Sequence, residues 1–556
     1  MRSRSISGVS LLCLLTFFCG VTYVSAADFD LVIRGGRVVD GTGNPWRYAD
    51  VAVTGDRIVE VGRVAGTGER EVDAKGLVVS PGFIDIHSHS DFKLLQDGNA
   101  QSKIRQGVTT EILGEGNSAG PYQGRVSAKQ VTVGKTEHEL TTLGEYFDLI
   151  DKSGVSVNVA SYVGIGNLWR AAMGDSFDRP DAKQKAMMKR LLDEALRDGA
   201  LGLSSQVMMP PGSLANVDDV SELCRVVAKH GAIYSTHIRN EGTEVFDAVK
   251  EAIEVGRRTG VPVDIIHLKI ADEKYWGRMN EVIALIEAAR GEGLNIQANV
   301  YPYTRGNNNL ASIIPPWAHE GGREKFLARL KDRSLRERLK REIRSGIPGW
   351  YNHFTAVGGD WSRMLVSANS TYRGLTMDRV LALRPKPKDG EDDLDQLFEL
   401  LTDEGGSVST VYAHHTDRDM TLALSQPWCS VGSDGSAYAI EGPLRKGNPH
   451  PRNFGTFPRV LGVYVRELKL LRLEEAVRKM TSLNAAKVGL KDRGLLRPGA
   501  FADITVFDSE TIIDNAKYTE PFQYNEGIRF VFVNGQLVLD GEKHTGAKPG
   551  RALRRH

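Results

Sequence analysis

Cysteine is scarce in this chain: Cys13, Cys19, Cys224 and Cys429 are the only four in 556 residues. So few, with no Cys-x-x-Cys pair, exclude a disulfide-stapled scaffold and a cysteine metal knot. Cys224 sits in a helical pattern and Cys429 opens a strand-like run, so both are expected to pack as small buried groups. A charge excess is missing too: 71 basic residues stand against 70 acidic ones, a formal net charge of +1. That balance offers no electrostatic footprint for nucleic acid or an anionic membrane, which leaves a small molecule as the expected partner. After residue 26 there is no long apolar run, so no stable membrane span is expected in the mature chain.

The N-terminus is the exception. Arg2 and Arg4 precede a largely apolar run from about Val9 to Val21, followed by Val24-Ser25-Ala26. This is the order of a secretory signal peptide, with cleavage expected after Ala26 and a periplasmic or secreted mature protein. The run is shorter than the ~20 residues of a spanning helix, which favours cleavage over a retained anchor.

With 41% hydrophobic residues and a mean hydropathy of -0.28, the rest reads as a folded globular chain. Its two ends share one texture. Residues 27–79 and 490–550 carry short alternating apolar runs punctuated by Gly-Gly, Asp-Gly and Gly-Asp turns, with an Asn-Gly hairpin signal at Asn534-Gly535. Together they predict one small β-sandwich built from both termini. Residues 80–489 alternate apolar runs with amphipathic segments such as "KAMMKRLLDEALRDG". That alternation predicts an α/β fold, a (β/α)8 TIM barrel. Nine candidate strands are visible, one too many for the barrel. The surplus one is assigned to an insertion near the barrel mouth, about residues 305–410, with the capacity to act as a lid.

In such a barrel, chemistry gathers at the C-terminal ends of strands. Those ends hold His87 and His89, Glu111 or Glu115, His237, His267 and Asp434. In an extended strand residues i and i+2 share a face, so the His87-x-His89 pair is able to converge on one ion. Asp85 and Asp91 are near enough in sequence to fix the imidazole tautomers. His237 in "AIYSTHIRNEG" and His267 in "VDIIHLKIAD" each close an apolar run and open a polar loop. Four imidazoles suit zinc or another divalent first-row metal. Asp434, between Gly432 and Gly435, is a carboxylate placed to take a proton from water and return it to a leaving group.

Taken in order, "PGFIDIHSHSD", "THIRNEG", "IIHLKI", "YPY" and "GSDG…HPRNFGTFPRVLG" resemble the metal-dependent amidohydrolase superfamily. Within it the chain is similar to the D-aminoacylase, or N-acyl-D-amino-acid deacylase, group over nearly its whole mature length. The resemblance implies a zinc-dependent enzyme with one or two ions that deacylates N-acyl-D-amino acids. It implies His87, His89, His237 and His267 as metal ligands and Asp434 as ligand and general base. It also implies that Lys269, Arg452 and either Tyr301 or Tyr303 hold the carboxylate of the substrate. The alternatives are a dipeptidase or a hydantoinase- or dihydroorotase-like cyclic-amide hydrolase of the same superfamily, and a non-catalytic exported binding protein. Two departures stand out. The group typically carries a cysteine ligand after the second strand, where this chain has Gly116, so Glu115 is expected to replace it and bridge two metals. Met209 stands where relatives often have a tyrosine.

Overall fold

The computed structural model describes Met1 and residues 27–368, 370–385 and 390–555. The leader and its expected cleavage site lie outside the described residues. No helix among the described residues is long and apolar enough to cross a membrane.

Strands from both ends of the chain form one nine-stranded sheet. Its centre joins the termini: Val78–Pro81 runs antiparallel to Ile504–Phe507, with Val78 opposite Phe507 and Pro81 opposite Ile504. One apolar face packs Leu31, Ile33, Val51, Val53, Ile504, Val506 and Phe532, while Val32, Ala52 and Val64 pack on the other. The Asn-Gly signal is a hairpin between Ile528–Val533 and Gln536–Asp540, with positive φ at both Asn534 (48°) and Gly535 (81°). That pair of left-handed residues matches the twist of the flanking strands.

Eight parallel strands make the barrel: Phe83–Asp85, Val108–Leu113, Asn158–Ser161 continued by Val163–Gly164, Gly202–Gln206, Ile233–His237, Val263–Ile265, Ile296–Val300 and Cys429–Val431. Every strand is almost wholly buried, because helices cover the outside and side chains fill the inside. Hydrogen bonds beyond the strand ends close the seam. The Asp434 amide donates to the His87 carbonyl at 2.8 Å, and the His89 amide donates to the Gly435 carbonyl at 2.7 Å.

The ninth candidate strand, Ser409–Tyr412, is outside the barrel. It is the centre of a three-stranded antiparallel sheet with Gly306–Asn309 and Met364–Ala368. Helices Gly322–Lys331, Arg333–Ser345 and Asp393–Asp403 pack against that sheet around Leu310, Phe326, Leu339, Phe398 and Tyr412. The inserted region therefore has its own core and roofs the barrel mouth. Cys224 and Cys429 are both buried and unpaired with each other, as small apolar groups.

Candidate metal centre

The first barrel strand ends at Asp85, so His87 and His89 project from the loop just beyond it. Their rings still converge, with centroids 5.1 Å apart. His87 is buried, whereas the His89 side chain is 39% exposed and stands at the cavity mouth. Gly432 permits this approach: a Cβ there would lie 2.9 Å from the Cβ of His87. Asp434 follows at the end of the eighth strand in a left-handed conformation, φ 50°, and His267 after the sixth strand has φ 38°. Such backbone costs of order 1–3 kcal/mol per residue and is held here by neighbouring bonds. The His267 amide donates to Asn299 Oδ1 at 3.0 Å, as the Asp434 amide does to His87.

Glu115 is the centre of the arrangement. It lies between Gly114 and Gly116, both at positive φ, which turn the chain sharply after the second strand. Its two oxygens face two ligand groups. Oε2 lies 2.7 Å from His87 Nε2 and 2.9 Å from His89 Nε2. Oε1 lies 3.0 Å from His237 Nδ1 and 3.8 Å from His267 Nε2. Asp434 completes the first group, with Oδ1 3.0 Å from His89 Nε2 and 3.7 Å from His87 Nε2. Two clusters of ligand atoms result, His87/His89/Glu115/Asp434 and Glu115/His237/His267, each within 4.8 Å. They share one carboxylate.

The donor set fits zinc, which takes imidazole nitrogen and carboxylate oxygen readily. His237 Nδ1 and His267 Nε2 approach to 3.2 Å. Two neutral imidazole nitrogens at that distance repel unless a proton or a cation lies between them. The carboxylates are ionised. Burial opposes charge on Glu115 and Asp434, but the surrounding imidazoles, and Arg452 beside Asp434, hold both carboxyls below the ordinary range. Burial also opposes charge on His89, yet Asp434 and Glu115 keep its pKa up at about 10. Two carboxylates at such a place are the counter-charge that a cation requires.

The position next to Glu115 has no room for a ligand side chain. Gly116 has φ 60°, and a Cβ there would lie 2.6 Å from the Cβ of Gln206. No side chain fits at 116 without displacing Gln206. Glu111, the other carboxylate at the second strand, accepts from Ser88 and Ser90 hydroxyls and pairs with buried Lys103 at 3.2 Å. It supports the first strand from behind and does not enter either cluster.

The expectation for Asp85 and Asp91 needs correction. Asp85 accepts from Lys103 Nζ at 2.7 Å, the Ser433 amide at 2.8 Å and the His87 amide at 3.3 Å. It grips backbone on both sides of the barrel seam and leaves the imidazoles alone, because its side chain points inward from the strand. Asp91 makes no hydrogen bond to a ring nitrogen, and its Oδ1 is buried without a partner.

The residue that tunes the rings is Glu241, which the sequence reasoning missed. Its Oε1 lies 3.0 Å from His267 Nδ1 and 3.6 Å from His237 Nε2. Only its position in "THIRNEG", four residues past His237, pointed to it. Lys269 Nζ sits 2.5 Å from Glu241 Oε1 and 2.8 Å from His267 Nδ1, so its ammonium is committed to this network. The two tyrosines separate. Tyr301 lies under the Arg452 guanidinium, 4.8 Å from ring centroid to Cζ, and its hydroxyl is buried without a partner. Tyr303 donates its hydroxyl to Asp514 at 3.1 Å, away from the clusters. Arg452 Nη1 lies 2.7 Å from Asp434 Oδ2. Met209 packs against Met208, Ala271 and Tyr351 in a small apolar cluster. A cavity of about 280 Å³ opens over the clusters, roofed by Asn307, Asn308, Ser367 and Ser409 of the inserted sheet.

Comparison with known proteins agrees with this geometry. A family model described as the amidohydrolase family matches residues 70–130 and 432–539. Over 530 residues, 95% of this chain and 96% of the relative, the sequence is 34% identical to an N-acyl-D-glutamate deacylase of Alcaligenes xylosoxydans xylosoxydans. A D-aminoacylase structure, solved to define the role of its binuclear metal centre, superposes with a TM-score of 0.79 at 33% identity, covering 95% of this chain and all of that one. An N-acyl-D-glutamate deacylase from Bordetella bronchiseptica gives a TM-score of 0.78 at 31% identity, over 95% of this chain and 99% of that one. That structure holds zinc and a phosphonate mimic of the tetrahedral intermediate.

Proposed function

The chain belongs to the amidohydrolase family, and from that premise we propose that it hydrolyses the amide of N-acyl-D-amino acids to a carboxylate and a free D-amino acid. The observation that carries this reading is the pair of clusters joined through Glu115, with Asp434 and Arg452 side by side at their edge. His87, His89, Glu115 and Asp434 would hold one zinc ion, and Glu115, His237 and His267 a second. Zinc bound there supplies Lewis acidity, which polarises a carbonyl and makes water a better nucleophile at neutral pH.

The remaining chemistry belongs to the chain. Asp434 is ionised, so it accepts a proton from the attacking water and hands it to the departing amine nitrogen. Arg452 presents a planar fork beside it, suited to the α-carboxylate of the substrate. The free hydroxyl of Tyr301, next to that guanidinium, is a donor to the same group. Lys269 joins them only when Glu241 releases it, so its first role is to hold Glu241 against His267. The roof of the inserted sheet limits water around the amide. Specificity for the D-configuration is taken from the relatives.

The test uses zinc-loaded full-length protein and matched N-acetyl-D- and N-acetyl-L-amino acids. Hydrolysis of the D-series should be lost on chelation, and Asp434→Asn should lower kcat by about 10²–10⁴-fold. Full activity after either change, or an L-preference, would sink the proposal. Export with cleavage after Ala26 completes the reading; a mature protein whose first residue is not Ala27 would overturn it.

A further inference from the structure

A second cavity, about 660 Å³, adjoins the one over the clusters, and the two share His89, Lys93, Ala368, Tyr438 and Lys446 as lining. Three cations line it: Lys93, Lys446 and Arg373. Asp91 is the single acid on its wall. Among the described residues none of the three cations has a carboxylate at ion-pair distance. Lys93 Nζ donates to Ser436 Oγ at 3.0 Å and lies 4.9 Å from the centroid of the Tyr438 ring. Lys446 Nζ donates to Gln96 Oε1 at 3.3 Å. Burial works against the charge of Lys93, and the nearby Asp91 offsets this only in part, so its ammonium is partly desolvated. A desolvated cation is stabilised by an arriving anion far more than a solvated one is. An aliphatic substituent would bring no such compensation; the apolar surface on these walls is that of Phe92, Leu444 and the rings of Tyr122 and Tyr438.

We infer that this second cavity is a subsite for a second carboxylate of the substrate, distinct from the one next to the scissile amide. The inference rests on the deacylase reading, which supplies the amide and places it at the shared wall. Two substrates carry the same chemistry: an acidic D-amino acid brings the carboxylate on its side chain, and a dicarboxylic acyl group brings it on the other side of the amide. The identity to an N-acyl-D-glutamate deacylase and to a D-aminoacylase is the same, 34% over 95% of this chain in each case, so overall similarity does not make this choice. The charge on the wall does.

The experiment compares charged substrates with uncharged matches on the zinc-loaded full chain. N-acetyl-D-glutamate is set against N-acetyl-D-glutamine, and N-succinyl-D-alanine against N-butyryl-D-alanine. In at least one pair the charged member should be favoured in kcat/KM by about tenfold or more, and the ratio should fall as salt is raised. A preference within the first pair assigns the cavity to the side chain, and within the second to the acyl group. In the Lys446→Ala/Arg373→Ala double variant, and separately in Lys93→Met, that ratio should drop toward one. Equal or better hydrolysis of both uncharged members overturns the subsite and leaves the deacylase intact. A preference that survives all three substitutions overturns the assignment to these residues. No turnover of any N-acyl-D-amino acid overturns both readings.

Discussion

Replacing Glu115 by glutamine keeps the shape of the side chain and removes the charge and one of its two donor oxygens. Each oxygen now serves a different cluster: Oε2 approaches His87 Nε2 at 2.7 Å and Oε1 approaches His237 Nδ1 at 3.0 Å. An amide can offer its oxygen to one cluster only, and it turns an NH2 group, which cannot ligate, toward the other. The His237/His267 group then falls from three donors to two, or the other from four to three. Losing an outer partner of a ligand costs about 10–100-fold in metal affinity, so losing a direct donor should cost at least about 100-fold, roughly 2.7 kcal/mol, at the weaker position. Zinc content after dialysis against a zinc buffer measures this directly. Wild-type chain should retain two ions and Glu115→Gln at most one. Glu115→Cys should recover one ion, since a thiolate is a good zinc ligand. Gly116→Cys should not, because of the φ of 60° and the 2.6 Å approach to Gln206. Unchanged stoichiometry and affinity in Glu115→Gln would refute the bridging role.

Glu241→Gln leaves His267 Nδ1 without its carboxylate and frees Lys269, so metal affinity should fall by about 10–100-fold while the fold persists; an unchanged zinc titration would count against a positioning role. Acid should destabilise the protein through His353 and His415, whose pKa values burial pushes down to about 3. Between pH 6.5 and 3 the unfolded chain binds a proton at each that the folded chain refuses, so stability is full above 6.5 and falls on acidification. The slope is about 1.4 kcal/mol per pH unit per histidine. Denaturant midpoints measured across that range should show a shallower slope for His353→Gln, and a parallel curve would refute the assignment.

The residues of the candidate site were legible one at a time, because each closes an apolar run. His237 ends a strand, and His87, His89, His267 and Asp434 follow strand ends by a few residues. Strand periodicity and the barrel rule were enough to assemble them, and the missing cysteine pointed to Glu115. What period alone left open was anything that depends on where a side chain turns after its strand has ended. Tyr301 and Tyr303, two residues apart, would share a face only in extended chain. The strand stops at Val300, so one ring faces the metal centre and the other reaches Asp514. Asp85 read as a tautomer partner and proved to be a backbone clamp beside buried Lys103, because its direction follows the barrel interior.

The sequence by itself determined the architecture, the ordered set of imidazoles and the acid at the eighth strand, since these depend on local periodicity and on residue type at strand ends. Only the tertiary structure decided that one carboxylate spans two clusters, that Glu241 turns back onto His267, and that three cations with no ion-pair partner among the described residues share a wall. Those depend on distances between loops far apart in the chain, which packing of the barrel and its roof sets and no local pattern encodes.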